Sequence, residues 1–393
     1  MSTKAPLQTT ASSVAVYGLS TEGYRVASSI ALKGSKVSLI DESARMAITL
    51  KPDIARTYPD VSSLIEDEPL LTLEPIDVAI SKAAYIFFSP RIRKVGQEVK
   101  SDVSSKFKDA TRALRPGASI IFTLPTGIGG NNENIALIEH ITGMSVGKDI
   151  FYYYMPINAP LNVGHETLIG SLKSKQDTYL SKMLHDSDVL GKLNFVDIAS
   201  AELVHSINIL EHYSGMAGVL EICKNAYDAT VTSELMQNSF SNIFLDDVAG
   251  GLYDLRIIGS SLGGVGPLMY LVNGTVKGIE AYIKHLIDRI RYMLKKRDLK
   301  ASRTRVVIAW NLDSNEMRGD KMDLMSSLQT RLKDYIGDVD TSKGPILDMY
   351  PTDKTTVIIT CSKKDLTKLG TRSKQNSDQI IVKANPLCEI INL

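Results

Sequence analysis

The chain of 393 residues is poor in cysteine, with three, and contains a single tryptophan. Cys223, Cys361 and Cys388 are odd in number and far apart. That excludes a disulfide framework and a Cys-x-x-Cys zinc site, and it points to reduced thiols in a cytoplasmic protein. Neither sign of charge is in excess, because 45 Lys and Arg oppose 44 Asp and Glu. No nucleic-acid or other polyanion partner is therefore implied. No stretch approaches the roughly 18 consecutive apolar residues of a membrane span, so no membrane association is expected. His140, His165, His185, His205, His212 and His285 include no His-x-x-x-His pair, and no metal site is predicted. Residues 1–13 lack the basic start and apolar core of a signal peptide and read as a short disordered leader.

What is present is an alternation of strand and helix signals. From Val14 the sequence VAVYGLSTEGYRVASSIALKGSKVSLIDES gives a β-branched run, a glycine-bearing turn, a helical stretch and a second apolar run ending in Asp41. That is one βαβ unit. Further strands are expected at Ala84 to Phe88, Ser119 to Thr123 and Ile150 to Tyr154. Strands alternating with helices predict a parallel sheet. Between Ser200 and Asp298 the strand signals fade, and the clearest helix runs from Thr275 to Lys296. There Ile279, Tyr282, Ile283, Leu286, Ile290 and Met293 recur at three- and four-residue steps, which marks one apolar face. Strand and helix signals return with Arg305 to Trp310, Met322 to Tyr335 and Thr355 to Cys361. The fold class expected is α/β: a Rossmann-like parallel-sheet domain over 14–198, a helical middle domain over 199–299, and a smaller α/β domain over 300–393.

Gly18, Leu19, Ser20 and Gly23 occupy the junction of the first strand and helix, the context in which a G-x-G-x-x-G motif binds a dinucleotide. Gly18 permits the tight turn, and Gly23 permits close packing of the helix. Ser20 stands where the middle glycine would let the backbone approach a pyrophosphate, a mild departure that predicts Ser20→Gly to leave affinity equal or better. Asp41, at the end of the second strand, is placed to hydrogen-bond an adenosine ribose and so favours NAD over NADP. A plain strand, glycine turn and helix of any doubly wound domain would look the same over these residues.

These motifs, with others further on, resemble the UDP-glucose/GDP-mannose dehydrogenase family of NAD-dependent enzymes, and the likeness spans nearly the whole chain. Ser89-Pro90 match the family's Pro-bearing loop, and Phe122 to Gly127 match its S-T-x-P-x-G loop. The resemblance puts Ser89, Pro90 and Thr123 at the cofactor, with Thr123 beside the nicotinamide. Ala201-Glu202-Leu203-Val204-His205 match the family's A-E-x-x-K, with His205 in place of the lysine as a weaker cation and proton carrier. Met155-Pro156-Ile157 keep the proline of its S-P-E segment and lose the glutamate. The run from Arg256 to Pro267 matches the glycine-rich nucleophile loop, with Gly263 and Gly264 retained and Gly266 where the cysteine belongs. Asn315 to Arg318 match the family's D-D-x-R, while the lysine expected after the preceding strand is missing from Ala309 to Leu312.

By this resemblance Arg256, Gly263, Gly264 and Arg318 would contact a nucleotide or nucleotide sugar, and the helical middle domain would make a homodimer. Without a thiol no thioester forms, so the four-electron oxidation should be absent. The function expected is a divergent dehydrogenase-like NAD-binding protein, with Thr123 and His205 serving at most one hydride transfer. The alternative is a non-catalytic sensor or structural subunit that binds NAD or a nucleotide sugar. The Gly/Asn stretch from Gly127 to Asn132 is equally a phosphate cradle or an ordinary loop.

Overall fold

The computed structural model describes residues 13–67, 72–94, 96, 98–157, 167–172, 177–185, 192–224, 242–263, 266–342, 354–370 and 379–392. The leader, apart from Ser13, and Gly264 of the glycine-rich loop lie outside these described residues. The chain divides into two compact units, the first being Met1–Ser206 with Asn315–Gly319, the second Ile207–Ser314 with Asp320–Leu393.

The first unit is built on β1 (Val14–Tyr17), whose four residues are all buried, as a central strand covered on both faces must be. Helix α1 (Thr21–Leu32) follows, and β2 (Val37–Asp41) returns parallel to β1. Next come β3 (Met46–Leu50), α2 (Pro52–Thr57), α3 (Val61–Asp67), β4 (Leu73–Pro75) and α4 (Ile76–Lys82). Then β5 (Tyr85–Phe88) pairs parallel with the other side of β1, in the register Tyr17 to Phe88. After α5 (Glu98–Thr111), β6 (Ser119–Phe122), α6 (Gly130–Thr142) and β7 (Phe151–Tyr154) come β8 (Thr167–Ser171) and β9 (Leu193–Asp197). The nine strands lie in the order β4-β3-β2-β1-β5-β6-β7-β8-β9.

The sheet is parallel at its centre, as expected, and antiparallel between β2 and β3, β3 and β4, and β7 and β8. Residues 42–45 alone join β2 to β3, and a parallel crossover needs about a dozen residues. Because β2 and β5 flank β1 on opposite sides, the strand order reverses between β1 and β5, the place where doubly wound sheets bind ligands. Beneath it, Phe88 stacks on Tyr17 and Phe122 at 5.4 and 5.1 Å, and Phe107 meets Phe88 and Phe122 edge-on at 4.9 and 5.1 Å. Such pairs contribute roughly 0.5–1.5 kcal/mol each beyond burial, so the seam has a rigid floor.

In the second unit, strands β10 (Thr304–Ala309), β11 (Val339–Ser342), β12 (Thr355–Thr360), β13 (Gln379–Lys383) and β14 (Ile390–Asn392) form a sheet in the order β11-β10-β12-β13-β14, antiparallel only at β14. Trp310, just past β10, is buried and donates its indole N–H to Asp246 at 2.9 Å. Among the described residues from 199 to 299 there is no strand. The helix Pro267–Lys296 buries Ile279, Tyr282, Ile283, Leu286, Ile290 and Met293, the face read from the sequence. It starts at Pro267 rather than Thr275, because proline at the first helical position has its φ already set and no amide to satisfy. The helix Ile198–Cys223 begins in the first unit and continues in the second. Among the described residues no helix is long and apolar enough to cross a membrane.

His285, on the helix Pro267–Lys296, is buried, and burial together with Lys224 and Arg289 lowers its pKa to about 4. A histidine depressed in the folded state stabilises the fold above its unfolded value of about 6.5, and that contribution is lost as pH falls toward 4. Acid denaturation should therefore show a loss on the order of 1–3 kcal/mol between about pH 6.5 and 4. The loss should be flattened in His285→Gln and is measured by chemical-denaturation midpoints at stepped pH.

Candidate functional site

Gly18 closes β1 with φ +117°, and a Cβ built there would stand 2.2 Å from the carbonyl oxygen of Ser89 and 2.5 Å from Cα of Pro90. Only glycine fits both the conformation and the space. Gly23 is almost as confined, with Ser20 Oγ, the Gly18 carbonyl and Ser89 Cβ at 2.9–3.1 Å from the same test position. The sequence motif thus marks a real close approach.

Ser20 is the N-cap of α1, its Oγ accepting the Gly23 N–H at 3.0 Å. The same hydroxyl donates to the Ser89 carbonyl at 2.7 Å and is wholly buried. It caps the helix and fastens the turn to β5, neither of which glycine can do. Ser89 Oγ meets Thr123 Oγ1 at 2.9 Å, and Thr123 Oγ1 donates to the Phe88 carbonyl at 2.7 Å. The structure therefore brings Gly18, Leu19, Ser20, Gly23, Ser89, Pro90 and Thr123 together at the switch point, with Thr123 fully buried.

Asp41 sits at the end of β2, half-buried, where Oδ1 accepts the Ser43 N–H at 2.8 Å and lies 3.7 Å from the Arg91 guanidinium. Its neighbour Glu42 enters the turn itself, accepting the Leu19 N–H at 2.9 Å and the Arg91 N–H at 3.0 Å. The Asp41-Glu42 doublet was visible in the sequence, but only the local turn shows which acid points inward.

The segment Asn315–Gly319 belongs to the first unit, although the chain before and after it belongs to the second. Its Asn315 carbonyl accepts the Thr21 N–H at 2.8 Å, and the Met317 N–H donates to Glu22 Oε2 at 2.7 Å. The Arg318 guanidinium donates to the Ile157 carbonyl at 2.7 Å, the backbone of the position where the resembling family has a glutamate. Glu22, Glu42 and Met317 were missed in the sequence because nothing local announces them.

Glu202, in the first turns of the helix Ile198–Cys223, is buried and accepts the Gly129 and Asn131 N–H groups at 2.7 and 3.0 Å and Asn131 Nδ2 at 2.7 Å. The Gly/Asn stretch is thus not a phosphate cradle: α6 already begins at Gly130, and its exposed amides are met by a carboxylate of this chain. His205 lies three residues beyond Glu202, half-buried.

Arg256 and Gly263 fall in the second unit. Arg256 pairs with Asp320 at 2.7 Å and Glu280 at 2.9 Å. Gly266 is the N-cap residue of the helix Pro267–Lys296. Cys223, Cys361 and Cys388 are all buried, and burial raises all three thiols, Cys388 to about 12. Thiols in that state are inert. No group of metal-binding side chains occurs among the described residues.

A strand, glycine turn and helix at the switch point of a largely parallel sheet define the dinucleotide-fold class. Within it the chain has the fold of nucleotide-sugar dehydrogenases. It is similar to UDP-D-ManNAc dehydrogenase from Pyrococcus horikoshii, at 15% identity and a TM-score of 0.63 over 96% of each chain. It is similar to a UDP-glucose dehydrogenase from Pyrobaculum islandicum, at 12% identity and a TM-score of 0.65 over 98% of this chain and 96% of that one. The UDP-N-acetyl-mannosamine dehydrogenase of Staphylococcus aureus matches at 14% identity and a TM-score of 0.58, over 95% and 98% of the two chains. No family model matches the sequence, and no curated protein matches it.

Two substitutions test the turn. Gly18→Ala should cost about 3 kcal/mol or more, since strain and clash add at one position, read as a fall in thermal or urea midpoint. Ser20→Gly should cost about 1–2 kcal/mol through the lost cap and the lost bond to Ser89. Equal stability of the variant would reject this, and the motif's expectation of equal or better NAD affinity is a separate quantity, read by titration.

Proposed function

We propose that the chain is a nucleotide-sugar dehydrogenase-like protein that binds NAD at the Gly18–Gly23 turn and makes at most a single-step oxidation. The observation that carries this is the turn at the β1/β5 switch point, set in a fold shared over nearly the full chain with UDP-sugar dehydrogenases. The residue types fit the cofactor: two confined glycines, an N-terminal helix end that favours an anion, and Asp41 for a ribose. Bound NAD would supply the hydride acceptor. The chain's own contribution at the reacting end is Thr123, whose hydroxyl is held by Phe88 and Ser89, and His205 as proton carrier. Arg256, Gly263, Gly264 and Arg318 remain candidates for a nucleotide or nucleotide-sugar ligand. We assign the protein to the cytoplasm, as three unpaired cysteines fit.

A non-catalytic subunit is the second reading, favoured by one observation. The Arg318 guanidinium and the Leu19, Thr21 and Gly23 N–H donors of the turn are engaged by groups of the chain itself.

The division into 14–198, 199–299 and 300–393 is retained as a proposal for folding units, with the middle one as the homodimer contact. The helix Ile198–Cys223 leaves Leu203 and Ile207, one turn apart, each 52% exposed, a small apolar patch that fits a second copy.

Incubation with NAD and UDP-glucose or UDP-N-acetylmannosamine should give no acid product, and iodoacetamide should leave any NAD-linked activity unchanged. Two NADH per sugar would reject the loss of the thioester route. Equilibrium sedimentation should give a dimer, and a monomer at micromolar concentration would reject the proposed contact.

A further inference from the structure

Three of the donors that a diphosphate would use at this turn are committed. Leu19 N–H goes to Glu42, Gly23 N–H to Ser20 Oγ, and Thr21 N–H to the carbonyl of Asn315. Thr21 is the first residue of α1, and its amide points along the positive end of the helix, where an anion gains most. A peptide carbonyl from three hundred residues away in sequence occupies that position.

The intruding segment is held along its length. Met317 N–H donates to Glu22 and Met317 O accepts the Ile92 N–H at 2.8 Å, while Ile92 and Arg318 form a parallel bridge. Arg93 donates to the Glu316 carbonyl at 2.7 Å. The Met317 side chain is fully buried, and Thr123 Oγ1 lies 3.7 Å from its sulfur. Glu22 and Glu42 put two carboxylates beside the turn. They favour the peptide amides they accept and repel a diphosphate.

We infer that Asn315–Met317 is a built-in latch, a peptide ligand that competes with the dinucleotide for the Thr21 amide and must leave before a diphosphate can bind there. This rests on the proposal that NAD binds at this turn. Affinity is then reduced by the fraction of molecules in which the latch is open, and weakening the latch restores it. Glu22 discriminates most sharply, because it bonds the latched state and is left as an unpaired anion facing the diphosphate in the open one.

The test is calorimetric titration of the full-length chain with NAD, comparing wild type, Glu22→Ala and Met317→Gly. Met317→Gly keeps every charge, so tighter binding in it cannot come from relieved repulsion. Both variants should bind NAD at least tenfold more tightly. On the unmodified chain, hydrogen exchange at saturating NAD should show the Met317 and Ile92 amides losing protection while Thr21 keeps it. A folded Met317→Gly with unchanged or weaker affinity would overturn the latch, as would unchanged protection of Met317 and Ile92 with NAD bound. In those outcomes wild-type binding still stands and the dinucleotide proposal survives. If neither wild type nor variants bind NAD at millimolar concentration, the dinucleotide proposal fails and the latch fails with it.

Discussion

At Gly18 the backbone leaving β1 passes so close to Ser89 and Pro90 that no side chain can stand between them. The contact sets how near the ends of β1 and β5 lie, and so whether Ser20 can reach the Ser89 carbonyl. It also places Thr123 against Ser89 and seats the turn over the packed rings of Tyr17, Phe88, Phe107 and Phe122. Relaxing that approach by the length of one methyl group would open the seam and undo the Ser20 bond together with the cap of α1. The seam is therefore a unit: its members support one another, and effects of changing them should not add.

Much of this architecture was legible because it rests on local pattern. The run Val14 to Tyr17 is apolar on both faces, as a central strand is, and Gly18 and Gly23 flag positions where backbone crowding forbids a Cβ. The apolar face of the helix Pro267–Lys296 could be read from its spacing, although its start could not, since the pattern weakens there and Pro267 decides it. The antiparallel flanks of the large sheet were not legible, because they follow from connection length and pairing. Least visible was the filling of the site. Glu22, Glu42, Glu202 and Met317 act through partners distant in sequence, and a carboxylate that will meet a buried amide looks like any surface acid.

Two buried carboxylates serve helix N-termini, one directly and one by holding the segment whose Asn315 carbonyl meets the Thr21 N–H. Glu202 satisfies the start of α6, and Glu22 lies in the first turn of α1 while accepting an amide from elsewhere. Helix ends that in other dinucleotide folds face a ligand are completed here from within the chain. The three cysteines follow the same tendency in a different chemistry, since each is enclosed where its thiol is hard to ionise.

Trp310 is the single indole of the chain, and it lies in the second unit, buried and bonded to Asp246. Tyrosines, by contrast, are shared equally, eight in each unit, and in the first Tyr85 and Tyr153 share the carboxylate of Asp177. The protein thus carries its own optical labels. Emission excited selectively from the indole follows the C-terminal sheet alone, while the near-ultraviolet dichroism of the tyrosines reports on both units together. Whether the two halves melt together or in sequence can be watched in the native chain, with no dye or inserted fluorophore.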